Sequence, residues 1–566
     1  MLNKNDVTTT SHYQKNWWKE AVAYQIYPRS FQDSNGSGIG DLNGITERLD
    51  YLKDLGIDVI WICPMFKSPN DDNGYDISDY QEIMAEFGTM EDFDRLLAAV
   101  HERGMKLILD LVVNHTSDEH PWFEESKSSK DSAKRDWYIW RDSEEPGVKP
   151  NNWESIFKGS VWEHEKTSDE YYMHLFSTKQ PDLNWENKEV REAIYKMINW
   201  WLDKGIDGFR VDAISHMKKE PGLASMPNPD GLTNVPCWDK MMNVDGILDY
   251  IDEMCEKTFR KYDVMTVGEA NGVSVAQADD WVGVDKQRFN MIFQFDHLAL
   301  WDENPDVKLD VIKVKETFTR WQKGLENVGW NALFLENHDI PRIVSKWGDD
   351  EKYWFESATS LAVMYFLMQG TPFIYQGQEI GMTNTEFTSI DDFNCVGAKN
   401  QYAELHEKGM PEQEILHLLA RTGRDNSRTP MQWDGSANAG FSSAKPWLKV
   451  NPNYKSINVA EQVKDSGSIH NFYRRMIALR KAEPALVYGD YDLILEDNEQ
   501  IYAYTRTLGN EKIVIICNLS ASLAMFECEK GIPDSQHLLL NNYAVTAHDQ
   551  TNTFVLRPYE TRIYRC

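Results

Sequence analysis

The 566-residue chain carries 90 acidic against 59 basic side chains, a formal charge of −31. Nucleic acid and anionic membrane surfaces both demand basic patches, so this balance excludes them as partners and leaves a small molecule. Hydrophobic residues at 41% permit a large core, while seven scattered cysteines without a CxxC pair, an N-terminus without an apolar signal core and the lack of any apolar run of about 18 residues argue against a disulfide framework, a zinc site, secretion and a membrane span, so a cytoplasmic protein is expected.

In chain order, short apolar runs at 21–27, 58–62, 106–113, 208–211, 264–267, 291–295, 332–335 and 372–375 read as strands. Their nearly continuous apolar character fits strands covered on both faces. Helical patterns lie between them, at 44–55 (Ile45, Leu49 and Leu52 on one face), 89–103 and 188–203. Repeated β/α units predict an α/β fold, a closed (β/α)8 TIM barrel. An open doubly wound sheet fits less well, because no Gly-rich phosphate loop follows the first strand. Two insertions interrupt the alternation. Residues 117–184, rich in Trp, Lys, Glu and Ser, form an inserted subdomain after strand 3, and 382–433 follow strand 8 with a helical stretch at 401–419. From about 488 the pattern changes to alternating segments at 500–506, 512–517 and 553–556, which predict a C-terminal antiparallel β domain. The expected division is barrel 1–116 and 185–487, inserted subdomain 117–184 and β domain 488–566.

Three apolar runs end in an acid: Asp212 in GFRVDA, Glu269 in VMTVGEA and Asp339 in FLENHD. A rigid strand tip facing a cleft suits chemistry better than folding. Alone, GFRVD reads as a structural ion pair and NHD as a helix cap. Together, on the fourth, fifth and seventh strands, the acids fit cleavage of a glycosidic bond, which needs one carboxylic acid and one carboxylate. Arg210 precedes Asp212 by two residues and shares its side of the strand, so it is expected to keep Asp212 ionised. The apolar run before Glu269 is expected to raise that group's pKa and keep it protonated. Double displacement further requires these two carboxyls about 5–5.5 Å apart.

DLVVNHTS (110–117), GFRVDAISH (208–216), VGEA (267–270) and FLENHD (334–339) closely resemble the four signature regions of the α-amylase superfamily, glycoside hydrolase family 13. QPDLNWEN (180–187), the opening WWKEAVAYQIYPRSFQDSNGSGIGDLNGI and TGRDNSRTPMQW resemble its oligo-1,6-glucosidase and α-glucosidase branch. The resemblance implies Asp212 as nucleophile, Glu269 as general acid and base, and Asp339 as stabiliser of the transition state. It implies a first-glucose pocket lined by His115, Arg210 and His338, a platform at Tyr75, and Asp72 with Arg424 gripping the non-reducing end, which makes the enzyme exo-acting. Phe157 is expected to stack at the next sugar site.

The loop DSNGSGIGD offers oxygen at Asp33, Asn35, Ser37, the carbonyl of Ile39 and Asp41, with Gly44 where an EF-hand has its bidentate Glu. Alone it reads as a solvated turn. Relatives of the branch hold a structural Ca2+ or Mg2+ there, usually with Asp in place of Ser37; no cofactor for the chemistry is implied. Ala213, after the nucleophile, is expected to admit α-1,4 bonds, where α-1,6-preferring members tend to have Val. The implied activity is a retaining exo-α-glucosidase acting on maltose and malto-oligosaccharides before isomaltose-type substrates, as a monomer or weak homo-oligomer. Three alternatives stand beside it: an oligo-1,6-glucosidase, a transglucosylase or sucrose isomerase, and a non-catalytic binding protein on the same barrel. Against the isomerase, FTRWQKGLEN (318–327) stands where an Arg-rich RLDRD-type loop is expected. Against the binding protein, all three acids are present.

Overall fold

The computed structural model describes residues 15–143, 147–301, 307, 309–527, 537–545 and 553–566. The first 14 residues, on which the reading of the N-terminus partly rests, and Cys528 lie outside them. Eight parallel strands form one sheet: β1 Ala23–Ile26, β2 Val59–Ile62, β3 Lys106–Val112, β4 Gly208–Asp212, β5 Met265–Glu269, β6 Met291–Phe293, β7 Ala332–Leu333 and β8 Thr371–Tyr375. Their order is β6-β5-β4-β3-β2-β1-β8-β7, and a parallel bridge from Ile292 to Asn331 joins the two ends. The sheet is a closed α/β barrel, as the eight apolar runs predict.

Strand parity sorts the side chains. Val59, Trp61, Ile108, Met265, Val267, Met291, Phe293 and Phe373 fill the barrel interior. Ile60, Ile62, Leu107, Leu109 and Phe209 point outward into the larger core under the helices. Two covered faces explain the unbroken apolar runs. β4 begins with Gly208 at φ 140, and a Cβ there would lie 1.8 Å from the Met265 carbonyl oxygen, so only glycine lets β4 enter beside β5.

Two predicted helices differ in detail. The 44–55 pattern is two helices, Leu42–Glu47 and Leu49–Leu55, broken at Arg48. The 401–419 stretch is also two, Val396–Glu407 and Glu412–Thr422, because Gly409 turns at φ 83 and Pro411 starts the second. Helices Met90–Glu102 and Lys188–Lys204 lie where the periodicity puts them. After β3 the chain makes a helix, Pro121–Lys127, and a three-stranded sheet from Trp140–Arg141, Trp162–Glu165 and Glu170–Met173. At the C-terminus, five antiparallel strands, Asp490–Ile494, Ile501–Leu508, Glu511–Asn518, Leu538–Asn541 and Thr561–Arg565, form one sheet, with a separate pair at Ala524–Glu527 and Thr553–Leu556.

Fully buried Arg506, on the strand Ile501–Leu508, ties that sheet to the barrel, and fully buried Arg480, on the helix Ile469–Ala482, braces the same place. Arg480 donates to the carbonyls of Phe366 and Met368, and Arg506 to those of Leu367 and Leu486. Those of Phe366, Leu367 and Met368 are carbonyls that the end of the helix Trp354–Phe366 leaves over, while Leu486 belongs to the short helix Pro484–Tyr488. Among the described residues, no helix is long and apolar enough to cross a membrane. Cys63, Cys237, Cys255, Cys395 and Cys517 are buried thiols.

Candidate active site

Interior parity delivers the acids to the C-terminal end of the barrel. Asp110 continues the inward face from Ile108, Glu269 from Val267, and Asp212 from Arg210. Arg210, fully buried, is the hub. Its Nη1 donates to Asp110 Oδ1 at 2.8 Å and Asp212 Oδ1 at 2.6 Å, and its Nη2 donates to Glu269 Oε2. Asp212 and Glu269 therefore hang from the two ends of one guanidinium, and the Glu269 charge acts on Asp212. Ala213, left-handed at φ 45, turns its N–H onto Glu269 Oε2 at 3.2 Å.

The electrostatics differ from the expectation for Asp212. Burial, with Glu269 and Asp110 alongside, pushes its pKa well up despite Arg210. One cation shared with Asp110 and Glu269 does not offset the cost of burying the Asp212 charge. Asp110 is likewise pushed up to about 6, mainly by burial, with Glu269 adding and Arg210 opposing.

Asp339 behaves in the opposite way. It lies in the loop beyond β7 rather than at a paired strand tip, since β7 ends at Leu333. Burial works against its charge, but His338, Arg424 and Arg428 together hold it well below the ordinary carboxylate range. Its Oδ1 accepts from Arg424 Nη1 at 2.9 Å and Arg428 Nη2 at 2.8 Å. Burial lowers the pKa of His338 to about 3, so the ring is neutral. Its Nδ1 accepts from Gln25 Nε2 at 2.8 Å, which leaves the proton on Nε2, facing the Tyr75 hydroxyl at 2.5 Å and Asp339 Oδ2 at 3.1 Å. The Tyr75 ring stacks on His338 at 5.2 Å, and its hydroxyl donates to Asp110 Oδ2 at 3.1 Å.

Asp72 sits at the end of the pocket, where Arg424 Nη2 donates to it at 2.8 Å and Gln180 Nε2 at 3.3 Å. His115, also neutral because burial drops its pKa to about 3, donates from Nε2 to the Tyr75 carbonyl. Phe157 covers the Arg424 guanidinium at 5.1 Å. These side chains bound a cavity of about 320 Å³, within the range of small-molecule sites. Asp72, Tyr75, His115, Phe157, Asp212, Ala213, Glu269, Asp339 and Arg424 line it, while Arg210 and His338 lie just behind the wall. Lys219 anchors the inserted segment nearby, donating to Asp182 Oδ2 at 2.6 Å and Asn114 Oδ1 at 2.9 Å.

Sequence reasoning missed several neighbours. Asp110 and Gln180 stand inside motifs already singled out, and Asp110 has the strand parity of a floor residue. Arg428 follows Arg424 by one helical turn. Phe176, Trp238, Asn271 and Phe295 also line the cavity, but no local pattern marks them. The stretch 318–327 was misplaced. Most of it belongs to the helix Val311–Leu325, with Phe318, Trp321 and Gln322 buried, so it is no pocket loop and says nothing about sucrose isomerisation.

The loop 33–41 lies away from these acids. Its donor set is all oxygen, the kind a hard divalent cation takes. Much of its acceptor capacity is already used: Asp33 Oδ1 accepts from the N–H groups of Asn35 and Gly36, and its Oδ2 from Gly38 N and Ser442 Oγ. Asp41 Oδ1 accepts from Gly44 N and Ser34 Oγ, while its Oδ2 accepts only from Ser34 N. Asp41 Oδ2 and the carbonyl of Ile39, which meets only the Ser37 hydroxyl at 3.2 Å, keep room for a cation, so the chemistry fits an ion with few protein ligands.

Comparison with known proteins agrees with this geometry. The family described as alpha amylase, catalytic domain, matches residues 25–489. A probable oligo-1,6-glucosidase of Bacillus subtilis is 55% identical over 97% of this chain and 99% of its own. The crystal structure of trehalose-6-phosphate hydrolase from Bacillus licheniformis superposes with a TM-score of 0.90 at 43% identity, over 97% of this chain and all of that one (100%). Isomaltulose synthase from Protaminobacter rubrum gives 0.92 at 41%, covering 98% and 100%. With its closed barrel, its carboxylates gathered on one arginine, and full-length likeness to such enzymes, the chain belongs to the α-amylase family of glycoside hydrolases.

Proposed function

We propose that this glycoside hydrolase is a retaining, exo-acting α-glucosidase of short α-glucosides. The observation that carries the reading is that Asp212 and Glu269 both accept from the one Arg210 guanidinium. Two carboxyls sharing one guanidinium favour the spacing of about 5–5.5 Å of retaining enzymes over the roughly 6.5–9.5 Å of inverting ones. Asp212 would attack the anomeric carbon, and Glu269 would protonate the leaving oxygen and then activate water. Asp339, fully ionised between two arginines, would hold the sugar hydroxyls as the ring flattens. Asp72 and Arg424 would grip the non-reducing end, which makes the pocket blind and the action exo. Tyr75 on His338 would form the floor under the ring, and Phe157 would meet the next sugar. Among the described residues lining the cavity, Arg424 is the only strong cation, and its partners are Asp72 and Asp339. That disfavours a phosphorylated aglycone.

The small Ala213 side chain favours α-1,4 bonds, while the name of the Bacillus subtilis relative favours α-1,6 as a second reading. Initial rates on maltose, isomaltose, sucrose and maltotetraose separate these readings and the isomerase. Faster turnover of isomaltose than of maltose would overturn the α-1,4 preference. In Ala213→Val the maltose-to-isomaltose rate ratio is expected to fall about tenfold or more, from bulk at the pocket mouth. Valine at that left-handed backbone should also lower stability by about 1–2 kcal/mol.

Loop 33–41 is read as a weak structural site for Ca2+ or Mg2+, held by Asp33, Asn35, Ser37, Asp41 and the Ile39 carbonyl. With two charges and no bidentate Glu, an affinity of about 10⁻⁴–10⁻³ M is expected. Calcium at 10 mM should then raise stability by about 1–3 kcal/mol over chelator-treated protein, and Ser37→Asp should enlarge the increase. An unchanged Tm in both proteins would dismiss the site.

A further inference from the structure

Arg424 has three hydrogen-bonding edges, and all three are engaged. Nη2 meets Asp72 and Nη1 meets Asp339, both lining the cavity. The third, Nε, donates to Cys395 Sγ at 2.8 Å. Cys395 is only 2% exposed and immediately precedes the helix Val396–Glu407. Its backbone is fixed as well: the N–H groups of Asn394 and Cys395 both donate to Asp425 Oδ2, at 2.8 and 2.9 Å, and Asn73 Nδ2 donates to Asn394 Oδ1 at 3.2 Å. The sulfur is thus tied to the residue after Arg424 and to the residue after Asp72.

We propose that Cys395 is a positioning residue for substrate binding: its sulfur sets the plane of the Arg424 guanidinium, so that the other two edges hold Asp72 and Asp339 in the geometry that receives the non-reducing glucose. The proposal rests on the reading of Arg424 given above. A planar guanidinium held by acceptors on three sides cannot turn about its Cδ–Nε bond. Without the sulfur, Nε–H is left in a part-buried place without its acceptor, and the side chain swings to find one. Phe157 covers a face of the guanidinium, so tilting it also disturbs the pocket mouth. Cys395 touches no sugar in this scheme; it acts through Arg424.

The test compares a replacement without an acceptor and one with it. Cys395→Val removes the acceptor and adds one methyl group, and Cys395→Ser keeps an acceptor in a slightly smaller side chain. Cys395→Val should raise KM for maltose and Ki for glucose in parallel, by about 3–10-fold, with kcat changed less than about twofold. Cys395→Ser should return both constants to within about twofold of the parent. Lysine has no counterpart of Nε–H, so in an Arg424→Lys background Cys395→Val should add almost nothing. Parent-like KM and Ki in Cys395→Val would overturn the proposal. So would Ser behaving like Val, or the full effect persisting beside Arg424→Lys, since either result means packing alone. If Cys395→Val does not fold, Cys395→Ala makes the same comparison. Should Arg424→Lys itself leave KM and Ki unaltered, the role of Arg424 falls first.

Discussion

Asp212→Asn is expected to lower kcat/KM on maltose by at least about 10⁴-fold, with folding and glucose binding retained. An amide cannot form the covalent glucosyl ester, so this loss should not depend on the leaving group. Glu269→Gln should behave differently. On maltose it should lose about 10²–10⁴-fold, because the departing sugar needs a proton. On α-glucosyl fluoride, whose fluoride leaves unprotonated, the first step should fall by no more than about tenfold. Equal losses for the two variants on the fluoride would refute the division of roles between the carboxyls. The pH profile adds a second check. Burial, Glu269 and Asp110 raise the pKa of Asp212, so ionised nucleophile is lost as pH falls through a value above the ordinary carboxylate range. The kcat/KM curve should therefore be bell-shaped, with its acid limb displaced upward. A rate constant from pH 4 to 9 would contradict this.

The barrel was legible because its strands are covered on both faces. Runs such as 106–113 are apolar throughout, and turn residues bound them, so eight strands could be counted without an alignment. The break at Arg48 and the one around Gly409 and Pro411 were harder to see, because apolar residues keep their spacing across them. At the site, legibility followed sequence distance. Arg210 and Asp212 share a strand face, and their ion pair can be read from i, i+2 alone. That Asp110 claims the same guanidinium from another strand depends on register: Asp110 pairs with Arg210 across the β3–β4 ladder. Register is a tertiary fact, and the Asp110 charge it brings adds to the burial that raises the pKa of Asp212. Arg424 and Cys395 meet only because the segment after β8 folds back over the pocket, and Trp238 reaches it from the four-residue helix Trp238–Met241, too short to show a period.

Arg210→Met should give the largest combined effect on activity and stability. Methionine fills much of the volume but leaves Asp110, Asp212 and Glu269 facing one another without a cation. Activity should fall by about 10²–10³-fold or more, since both reacting carboxyls lose the group that orients them. Breaking a buried ion network by removing one partner costs about 3–5 kcal/mol. The sign of its pH dependence follows from the direction of the shifts. Asp110, at about 6, and Asp212 bind protons more tightly folded than unfolded. They therefore weaken the fold as pH rises from the ordinary carboxylate value toward their raised ones, and the loss is complete above that window. Without Arg210 the raised values move higher still, so the window widens upward and the loss deepens. Urea unfolding should find the variant far less stable than the parent at pH 8 and closer to it at pH 5, where the crowded carboxyls can hold protons. Asp339, with its pKa depressed, stabilises above the ordinary range and loses that contribution as pH falls; it keeps Arg424 and Arg428 in the variant, so it cannot produce this trend. An equal stability gap at both pH values would mean that Arg210 acts by packing against Trp61 and Tyr75 and not as the counter-charge of the three acids.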